Sequence, residues 1–518
     1  MADVDVVASY EWWGKANATN HENNGHVTSE EDIRALDVAC LPKKIDIVVG
    51  SPPCTQFSFS NRGGGGDLVD GLKDIAKFLE VIDYIRPRFW AMENVPRVAK
   101  IVEKELKVGG QLHHFAHLEC EIHVLEMQEW GLPQRRKRCV IGNIDFELLH
   151  QYRDSTEGRT LGDVVRGLSR KRPKDAIYGI ELGRAELTDH EMEEFLSPEE
   201  ERMNREMKTH HPVYNNMAFP DPLDRTSRTI TATCTRVSRE SVVINESGRD
   251  GEFRRLTVRE RALIQGFPIT YQFFGDSYSQ KLKMIGNAIP PLLTFYIGQA
   301  IREVDQDELL RPEEAIIAFT TPAKRPDVTR PDTKGASFPA RRRFRVAIPH
   351  LRFKSGMRFE LANSFSETQP EWRVRFFYGN SKNISEVPLD EHLLKEIEEM
   401  DGLIERAKSI GTYTADLEKA LEHTNATKLQ AVWAHKAKTG QHPYGIVDEI
   451  GKAAQQLMAD LAPTNGEIES VVAKVVQPNG DQGVTKVLKN ADAVMAGLIL
   501  GAKANEIFRT DRFHKIDQ

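Results

Sequence analysis

The sequence predicts an α/β protein whose first half is a doubly wound, parallel sheet. In roughly the first 150 residues, short apolar runs alternate with helical patterns, which is the order expected of strands and covering helices. Polar residues suited to chemistry follow the apolar runs, and ligands of such sheets bind at the carboxyl ends of strands. After residue 345 the strand-like patterns come first and the helical patterns follow, which predicts a separate α+β region.

The elements of the first half follow one another without long interruptions. A strand is predicted in DVDVVASYEW, a helix in EDIRALD, a strand in KIDIVVGSPPC, a helix in LKDIAKFLEVIDYI and a strand in PRFWAMENV. Two further strands are predicted in CEIHVLEM and RCVIGNIDF, joined by the turn-like WGLPQRRK. These assignments place Glu11, the SPPC run and the MENV run at strand ends.

The chain of 518 residues is too long for a single hydrophobic core, so several domains are expected. We predict a catalytic domain over 1–146, an inserted lobe of weak periodicity over 147–252, and a helical return to the catalytic domain over 253–310. A basic, proline-rich linker over 311–345 and a C-terminal domain of unknown role over 346–518 complete the division.

The composition excludes several classes of protein. The hydrophobic share is 40% and the charged share 28%, and no apolar run approaches the roughly 18 residues of a membrane span. The N-terminus does not have the pattern of a secretory signal, so a cytoplasmic location is expected. The five cysteines are scattered without a CxxC pair, which indicates neither a disulfide framework nor a metal site. A net charge of −7 leaves room for a local basic surface.

Cys54 and Glu93 form the first candidate site. Cys54 follows two prolines directly after a predicted strand, and Glu93 lies at the end of the next predicted strand. A lone cysteine near a sheet is more often an inert, buried small side chain. A carboxylic acid beside a thiol, however, suits a ring that needs nucleophilic attack and protonation together.

Five motifs in order resemble those of the cytosine-C5 DNA methyltransferase family. They are SPPCTQFS, MENV, GLPQRRKR, RRLTVRERALIQGFP and MIGNAIPP, and they span roughly residues 5 to 300. A bare ENV is a weak signal, whereas PPCxxFS followed by QRRxR is a strong one. The resemblance implies a class I methyltransferase (Rossmann-like) sheet with an inserted target-recognition lobe. It also implies S-adenosylmethionine as cofactor and a cytosine flipped out of double-stranded DNA as substrate.

The resemblance assigns roles to the catalytic candidates. Cys54 would attack C6 of cytosine, and Glu93 would hydrogen-bond and protonate N3. Arg136 and Arg138 match two arginines that orient the base and the loop carrying the nucleophile, although such runs are more commonly solvated basic turns. A nearby cation would lower the pKa of the Cys54 thiol.

The same resemblance suggests a cofactor set. Glu11 would bind the ribose hydroxyls and Trp12 would stack on adenine. Asp32 would contact the adenine amine, although Glu31 is an equally near candidate and a helix cap is the simpler role for Asp32. The remaining members of the expected pocket are Pro52 and Asn287.

DNA contacts are expected from two segments. Ser58 matches a DNA-contacting serine in a glycine-rich segment that resembles a mobile loop closing over the flipped base. In the lobe, Thr231, Arg236 and Arg239 lie in a basic, strand-like run that suits groove contact, with an ordinary solvated edge strand as the alternative. The protein is expected to act on DNA as a monomer, with restriction or defence-system proteins as possible partners.

One family motif is missing from the printed sequence. A strand and glycine-rich turn of the type DLFxGxGG would precede Glu11, and we expect its loss to leave a gap beside the strand that leads to Cys54. A start assigned too far downstream, a partner chain and a degenerate protein are the three explanations, and the intact later motifs favour the first. An RNA cytosine methyltransferase and a non-catalytic DNA-binding subunit stay as rival readings.

Overall fold

The computed structural model divides the chain into two compact units. It describes residues 4–57, 66–209, 217–316, 319–333, 338–353, 357–366, 369–380, 383–398, 407–462, 465–476, 485 and 487–509. Unit 1 contains the described residues up to 208 and from 218 to 333, and unit 2 contains residues 209 and 217 and those from 338 onward. None of the helices among the described residues has the length and apolar character needed to cross a membrane.

Unit 1 is built on a four-stranded sheet. Its strands are β1 (Ile47–Gly50), β2 (Phe89–Asn94), β3 (Glu121–Glu126) and β4 (Lys137–Gly142), arranged in the order β1-β2-β4-β3. β1 and β2 run parallel, with Gly50 opposite Met92. β4 runs antiparallel to both β2 and β3. The expected α/β fold is thus confirmed, but the sheet is mixed, since only one of its three described strand pairings is parallel.

Helices cover both faces of this sheet, as the doubly wound arrangement requires. On one face α2 (Leu68–Ile85) and α3 (Arg97–Glu105) pack against Trp90, Met92 and Ile141. On the other, α4 (Phe146–Gln151) and a later helix, Pro291–Ile301, pack against Ala91 and Val140. Alternate residues of each strand therefore serve two separate cores.

The other helices of unit 1 continue the same numbering. α1 is Gly14–Asn24 and precedes the sheet; after α4 come α5 (Leu161–Ser169), α6 (Pro198–Thr209), α7 (Val258–Ile264), α8 (Tyr278–Asn287), α9 (Pro291–Ile301) and α10 (Pro312–Ala315). A small antiparallel pair, β5 (Val243–Ile244) and β6 (Arg254–Arg255), lies within the inserted lobe. The helical return predicted over 253–310 contains α7, α8 and α9, with a break at the prolines between α8 and α9.

The N-terminal segment does not form the strand that the sequence predicts. Residues 4–9 lie outside the sheet, and Tyr10 makes only an isolated parallel bridge to Ser29. Val4, Val6 and Val7 are exposed, so these apolar side chains are not buried against other described residues. β1 is accordingly an edge strand of the described sheet, and Val49 on it is 62% exposed.

The segment predicted as a linker over 311–345 is partly integral to unit 1. Lys281 on α8 donates to the carbonyl of Asp327 at 2.9 Å, and the buried Arg255 of β6 pairs with Asp332 at 3.1 Å. The boundary between the two units falls just after these contacts, near residue 334. The proline and basic residues therefore indicated that a domain boundary lies in this segment. They did not indicate that the residues before the boundary contact unit 1.

Unit 2 is the α+β region that the sequence predicts. Its antiparallel sheet has the order β10-β9-β8-β7, from β7 (Arg345–Arg352), β8 (Arg358–Ser366), β9 (Gln369–Asn380) and β10 (Asn383–Val387). The helices of this unit that we describe are α11 (Glu391–Glu398), α12 (Ala407–Leu421), α13 (Ala426–Trp433), α14 (Pro443–Leu461), α15 (Asn465–Val475) and α16 (Ala491–Arg509).

Candidate active site

The parallel pairing of β1 with β2 positions the two central candidates. Because Gly50 lies opposite Met92, the residues that follow each strand emerge at the same edge of the sheet. Ser51 is thereby placed beside Glu93, and Cys54 follows three residues later. The sequence prediction that a thiol and a carboxyl group meet at neighbouring strand ends is consistent with this placement.

Hydrogen bonds fix the turn that carries Cys54. Asn94 at the end of β2 donates its side-chain amide to the carbonyl of Pro52 at 3.0 Å. The backbone N–H of Phe57 donates to the Cys54 carbonyl at 2.9 Å, and the Phe57 ring is fully buried against α2. The nucleophile candidate therefore sits on a turn held from both sides.

Two donors hold the Glu93 carboxylate. Arg138 on β4 donates from Nε to Oε1 at 2.7 Å, and Ser51 donates its hydroxyl to Oε2 at 2.7 Å. Glu93 is 7% exposed, so the pair is largely shielded from water. A carboxylate with one donor on each oxygen has a fixed plane, which is what a proton donor to a ring nitrogen requires.

Burial raises the pKa of the Cys54 thiol, and the neighbouring Glu93 carboxylate raises it further. Arg138 and Arg136 act in the opposite direction but do not overcome these two effects. The two arginines do lower this pKa, as expected of nearby cations, but the net shift of the Cys54 pKa is upward. Burial of the thiol raises its pKa more than the two arginines lower it, because both guanidinium groups also bind other partners.

Arg136 has a different position from Arg138. Its side chain is buried, and it donates to three backbone carbonyls: Ile230 at 3.0 Å, Gly286 at 2.9 Å and Ala288 at 3.1 Å. These carbonyls belong to the lobe and to the C-terminal end of α8. Arg136 thus ties the strand that carries Arg138 to both of those segments and makes no described contact with Glu93.

Gln134 joins the same segments and was not singled out from the sequence. It accepts a hydrogen bond from the backbone N–H of Ile230 at 2.7 Å and donates to Gln265 at 2.9 Å. Gln265 in turn donates to the Ala288 carbonyl at 2.6 Å. Both glutamines are buried, and a polar residue inside an otherwise specific motif is the signal that could have identified them. Ser51 and Asn94 were missed because their roles depend on strand register.

The cofactor candidates lie on exposed or half-buried positions. Glu11 accepts a hydrogen bond from the backbone N–H of Trp13 at 2.8 Å, and Trp12 beside it is 60% exposed. Lys283 on α8 lies over the Trp13 ring at 4.7 Å, four residues before the exposed Asn287. One contact therefore links the segment of Glu11 to the helix that ends at Asn287.

Two further cofactor candidates have structural partners. Asp32 caps the short helix Ile33–Ala35 by accepting from the backbone N–H of Arg34, which is the simpler role foreseen for it. Pro52 is buried, and its carbonyl accepts the Asn94 bond described above. An exposed aromatic beside an acid, as at Trp12 and Glu11, suits a purine and a ribose, so the residues present fit a nucleoside cofactor.

Of the four residues expected to contact DNA, the structure describes three. Ser58 lies outside the described residues. Thr231 is half-buried and donates its hydroxyl to the Thr233 carbonyl at 2.9 Å, and Arg239 is also half-buried.

Arg236 is corrected by the structure, because it is 5% exposed and points into the lobe. Its guanidinium pairs with Glu200 at 2.7 Å and with Glu193 at 3.1 Å. An arginine whose charge is matched inside the protein cannot read a base edge in this conformation. The basic run at 225–239 was therefore a poor guide to which side chains face DNA.

Comparison with known proteins identifies the family to which this chain is similar. The model of the family described as C-5 cytosine-specific DNA methylase matches residues 1–303. Among curated proteins, the type II methyltransferase M.Bpa9945I of Bacillus paralicheniformis is 25% identical over 317 residues, covering 50% of this chain and 71% of its own length. M1.HphI of Haemophilus parahaemolyticus is 28% identical over 287 residues, covering 51% and 70%. The solved Dnmt2 methyltransferase of S. pombe aligns with a TM-score of 0.41 at 15% identity, covering 58% of this chain and 92% of that one.

Proposed function

Since this chain belongs to the C-5 cytosine-specific DNA methylase family, we propose that it transfers a methyl group from S-adenosylmethionine to C5 of a cytosine flipped out of duplex DNA. The observation that carries the proposal is the grouping of Cys54, Glu93, Arg138 and Ser51 at one sheet edge. A purely structural ion pair between Glu93 and Arg138 would not need a cysteine on a rigid turn beside it.

Cys54 acts as the nucleophile in this proposal. Its sulfur forms a bond to C6 of cytosine, while the π electrons of the ring shift so that N3 takes up a proton. Because the pKa of the thiol is raised, the reactive thiolate is a minor form near neutral pH, and its fraction grows as the pH rises. Flipping the base from the stack into the site costs a few kcal/mol, which contacts with DNA must supply.

Glu93 supplies the proton for N3 from Oε2. Arg138 at Oε1 is a donor only, whereas the Ser51 hydroxyl at Oε2 can accept as well as donate, so Oε2 is the oxygen that can carry a proton. When the O–H bond at Oε2 breaks and N3–H forms, the electron pair stays on Oε2. The Ser51 hydroxyl, 2.7 Å away, then donates to the new carboxylate and stabilises it. Ser51 is a positioning residue here, since it acts through Glu93.

The cofactor site is proposed around Glu11, Trp12 and Asn287, where an acid would bind the ribose hydroxyls and the exposed indole would stack on adenine. S-adenosylmethionine supplies the electrophilic methyl group that C5 accepts. When water accepts the C5 proton, the C5–C6 double bond re-forms, the Cys54 sulfur leaves C6 with the bonding pair as thiolate, and N3 returns its proton to Glu93. The named type II relatives support a restriction-modification or defence setting for this activity.

A covalent-trapping experiment tests the proposal. DNA containing 5-fluorocytosine should give a denaturation-resistant complex with the protein, because fluorine at C5 cannot leave as a proton does. Cys54→Ser should give none, whereas Cys40→Ser should behave like the parent protein, since Cys40 is exposed and distant in sequence from the site. The rate of complex formation should rise between pH 7 and pH 9 as the thiolate fraction grows.

Two results would contradict the mechanism. One is methylation of ordinary DNA at a near-normal rate by Cys54→Ser. The other is active methylation by the parent protein with no trapped complex on the fluorinated DNA.

A further inference from the structure

The basic residues of unit 2 are concentrated in its first part, up to the end of β9. Between residues 335 and 382 the sequence has ten Lys or Arg against three Asp or Glu, whereas from 383 to the end it has fifteen against twenty-one. The unit is therefore polarised, with a basic part that contains β7, β8 and β9 and a later part that is acidic on balance. A charge asymmetry of this size within one unit is typical of a surface that binds a polyanion.

One face of this sheet is packed against helices. Phe359 and Val374 point toward α16, where Gly497 and Gly501 allow the close approach. Asn505 on the same helix exchanges two hydrogen bonds with the backbone of Val374. The residues that alternate with these in β8 and β9 must point to the opposite face.

That opposite face carries the arginines. In register, Arg345 of β7 lies opposite Ala362 of β8, which lies opposite Arg373 of β9. Two rows further along the same face, Arg358 of β8 lies opposite Phe377 of β9. A small alanine thus separates two arginines, and the face has an aromatic ring near its centre. We call Arg345, Arg358, Arg373 and Arg375 the arginine face.

The Phe377 ring organises three of these cations. The guanidinium carbons of Arg345, Arg358 and Arg375 lie 5.6, 5.1 and 4.5 Å from its centre. Such contacts hold guanidinium groups in place without neutralising their charge. Arg358 and Phe377 are buried, so they support the face from below, while Arg345 and the half-buried Arg375 present donors held in place by the ring.

Carboxylates on the face neutralise only part of its charge. Glu360 is nearly fully buried, and its two oxygens are shared between Arg345 at 2.6 Å and Arg358 at 2.8 Å. Glu386 pairs with Arg375 through two bonds of 2.7 and 2.8 Å.

Two arginines offer most of the accessible charge. The Arg345 side chain is 56% exposed although it contacts Glu360. Arg373 is exposed, and no carboxylate of the described residues lies within ion-pair distance of it. An arginine held this way presents N–H donors to solvent, where phosphate oxygens are well suited to accept from them.

We propose that the arginine face binds the phosphate backbone of duplex DNA without reading its sequence. The identity of the polyanion follows from the proposed function of unit 1, which acts on DNA, while the face itself is argued from unit 2 alone. Contacts of arginine with phosphates position a protein on a duplex and leave sequence choice to other residues. Unit 2 would accordingly add affinity to a methyltransferase whose specificity lies elsewhere.

The test compares salt dependence in the full chain. Arg345→Gln/Arg373→Gln removes the two most exposed charges of the face, and Lys408→Gln/Lys419→Gln removes two exposed charges from α12 as the matched control. Equilibrium binding of a fluorescent duplex is measured between 50 and 200 mM salt. If each arginine contacts one phosphate, the slope of log K against log salt should become shallower by about 1.8. Over this fourfold range the parent protein should then lose about tenfold more affinity than the arginine variant.

The control variant should keep the parent slope, and all three proteins should keep the same preferred methylation sequence. An unchanged slope in the arginine variant, with normal thermal unfolding, overturns the proposal and leaves the face to another partner. If the double variant fails to fold, Arg373→Gln alone should still reduce the slope by about 0.9, and no reduction refutes the proposal. A parent protein that does not bind DNA at any salt concentration would instead refute the proposed function.

Discussion

Replacing Arg236 distinguishes a structural role from DNA reading. The guanidinium makes two bonds to Glu200, of 2.7 and 2.8 Å, and one to Glu193 of 3.1 Å. It also donates to the backbone carbonyls of residues 194 and 195. In Arg236→Ala, Glu193 keeps Arg255 and the hydroxyl of Tyr278 as partners. Glu200 keeps the backbone N–H of residue 197 but loses its only ion pair among those described.

The magnitude follows from the buried charge that is left behind. Removing one partner of a buried ion pair destabilises a protein by about 3–5 kcal/mol, because the remaining carboxylate stays desolvated without a counter-charge. Against a typical stability of about 5–15 kcal/mol, this is a large fraction. At roughly 2–4 °C for each kcal/mol, the unfolding midpoint of unit 1 should fall by about 10 °C.

Calorimetric unfolding measures this change, with Arg205→Ala as the control. Arg205 pairs with Glu201 one helical turn away on the partly exposed surface of α6, and such pairs contribute only about 0.3–0.5 kcal/mol. Its guanidinium also lies 4.9 Å from the centre of the Phe219 ring, a contact of about 0.5–1 kcal/mol. The control midpoint should therefore fall by no more than a few degrees. If Arg236→Ala instead melts with the parent protein and loses about 1–3 kcal/mol of sequence preference, Arg236 reads DNA and the structural reasoning is refuted.

Three further substitutions test the site and its support. Ser51→Ala should lower single-turnover methylation by roughly tenfold or more with unchanged DNA affinity, because the carboxylate formed at Glu93 loses a charge-assisted hydrogen bond, and Ser51→Thr should restore the rate; an equal loss in both variants contradicts this role. Gly286→Ala should destabilise the protein by about 1–3 kcal/mol in thermal unfolding, because an added Cβ would overlap backbone atoms of the lobe, whereas Gly411→Ala, with open space around it, should be neutral or stabilising. Trp12→Ala should weaken S-adenosylmethionine binding in calorimetric titration without a change of melting temperature, since its indole is exposed; unaltered binding places adenine elsewhere.

Much of the catalytic half could be predicted from local patterns. The helix over 68–85 and the strand over 89–94 follow from apolar periodicity and from the turn residues between them. Cys54 and Glu93 could be identified because they lie at the ends of predicted strands that are consecutive in the chain, and consecutive parallel strands are often neighbours. The order of elements along the chain was enough to predict a contact wherever the two partners lie on consecutive strands.

The direction of a strand and the facing of a side chain were decided only by tertiary structure. The pattern of β4 is the same for a parallel or an antiparallel strand, and its pairing with β2 and β3 settled the direction. Residues 4–10 have a strand-like pattern, yet a strand needs a hydrogen-bonded neighbour, and Tyr10 finds only one isolated bridge.

The sequence by itself determined the family, the order of the motifs and the chemical identity of the central pair. It did not determine which arginines are available to DNA, because Arg236 and Arg373 have the same side chain and both lie in basic runs. Arg236 is neutralised by carboxylates that lie 36 and 43 residues away in the chain, while no carboxylate of the described residues is placed to pair with Arg373. Charge compensation depends on distances in space, and residues so far apart in sequence are brought within hydrogen-bonding distance only by the folded backbone.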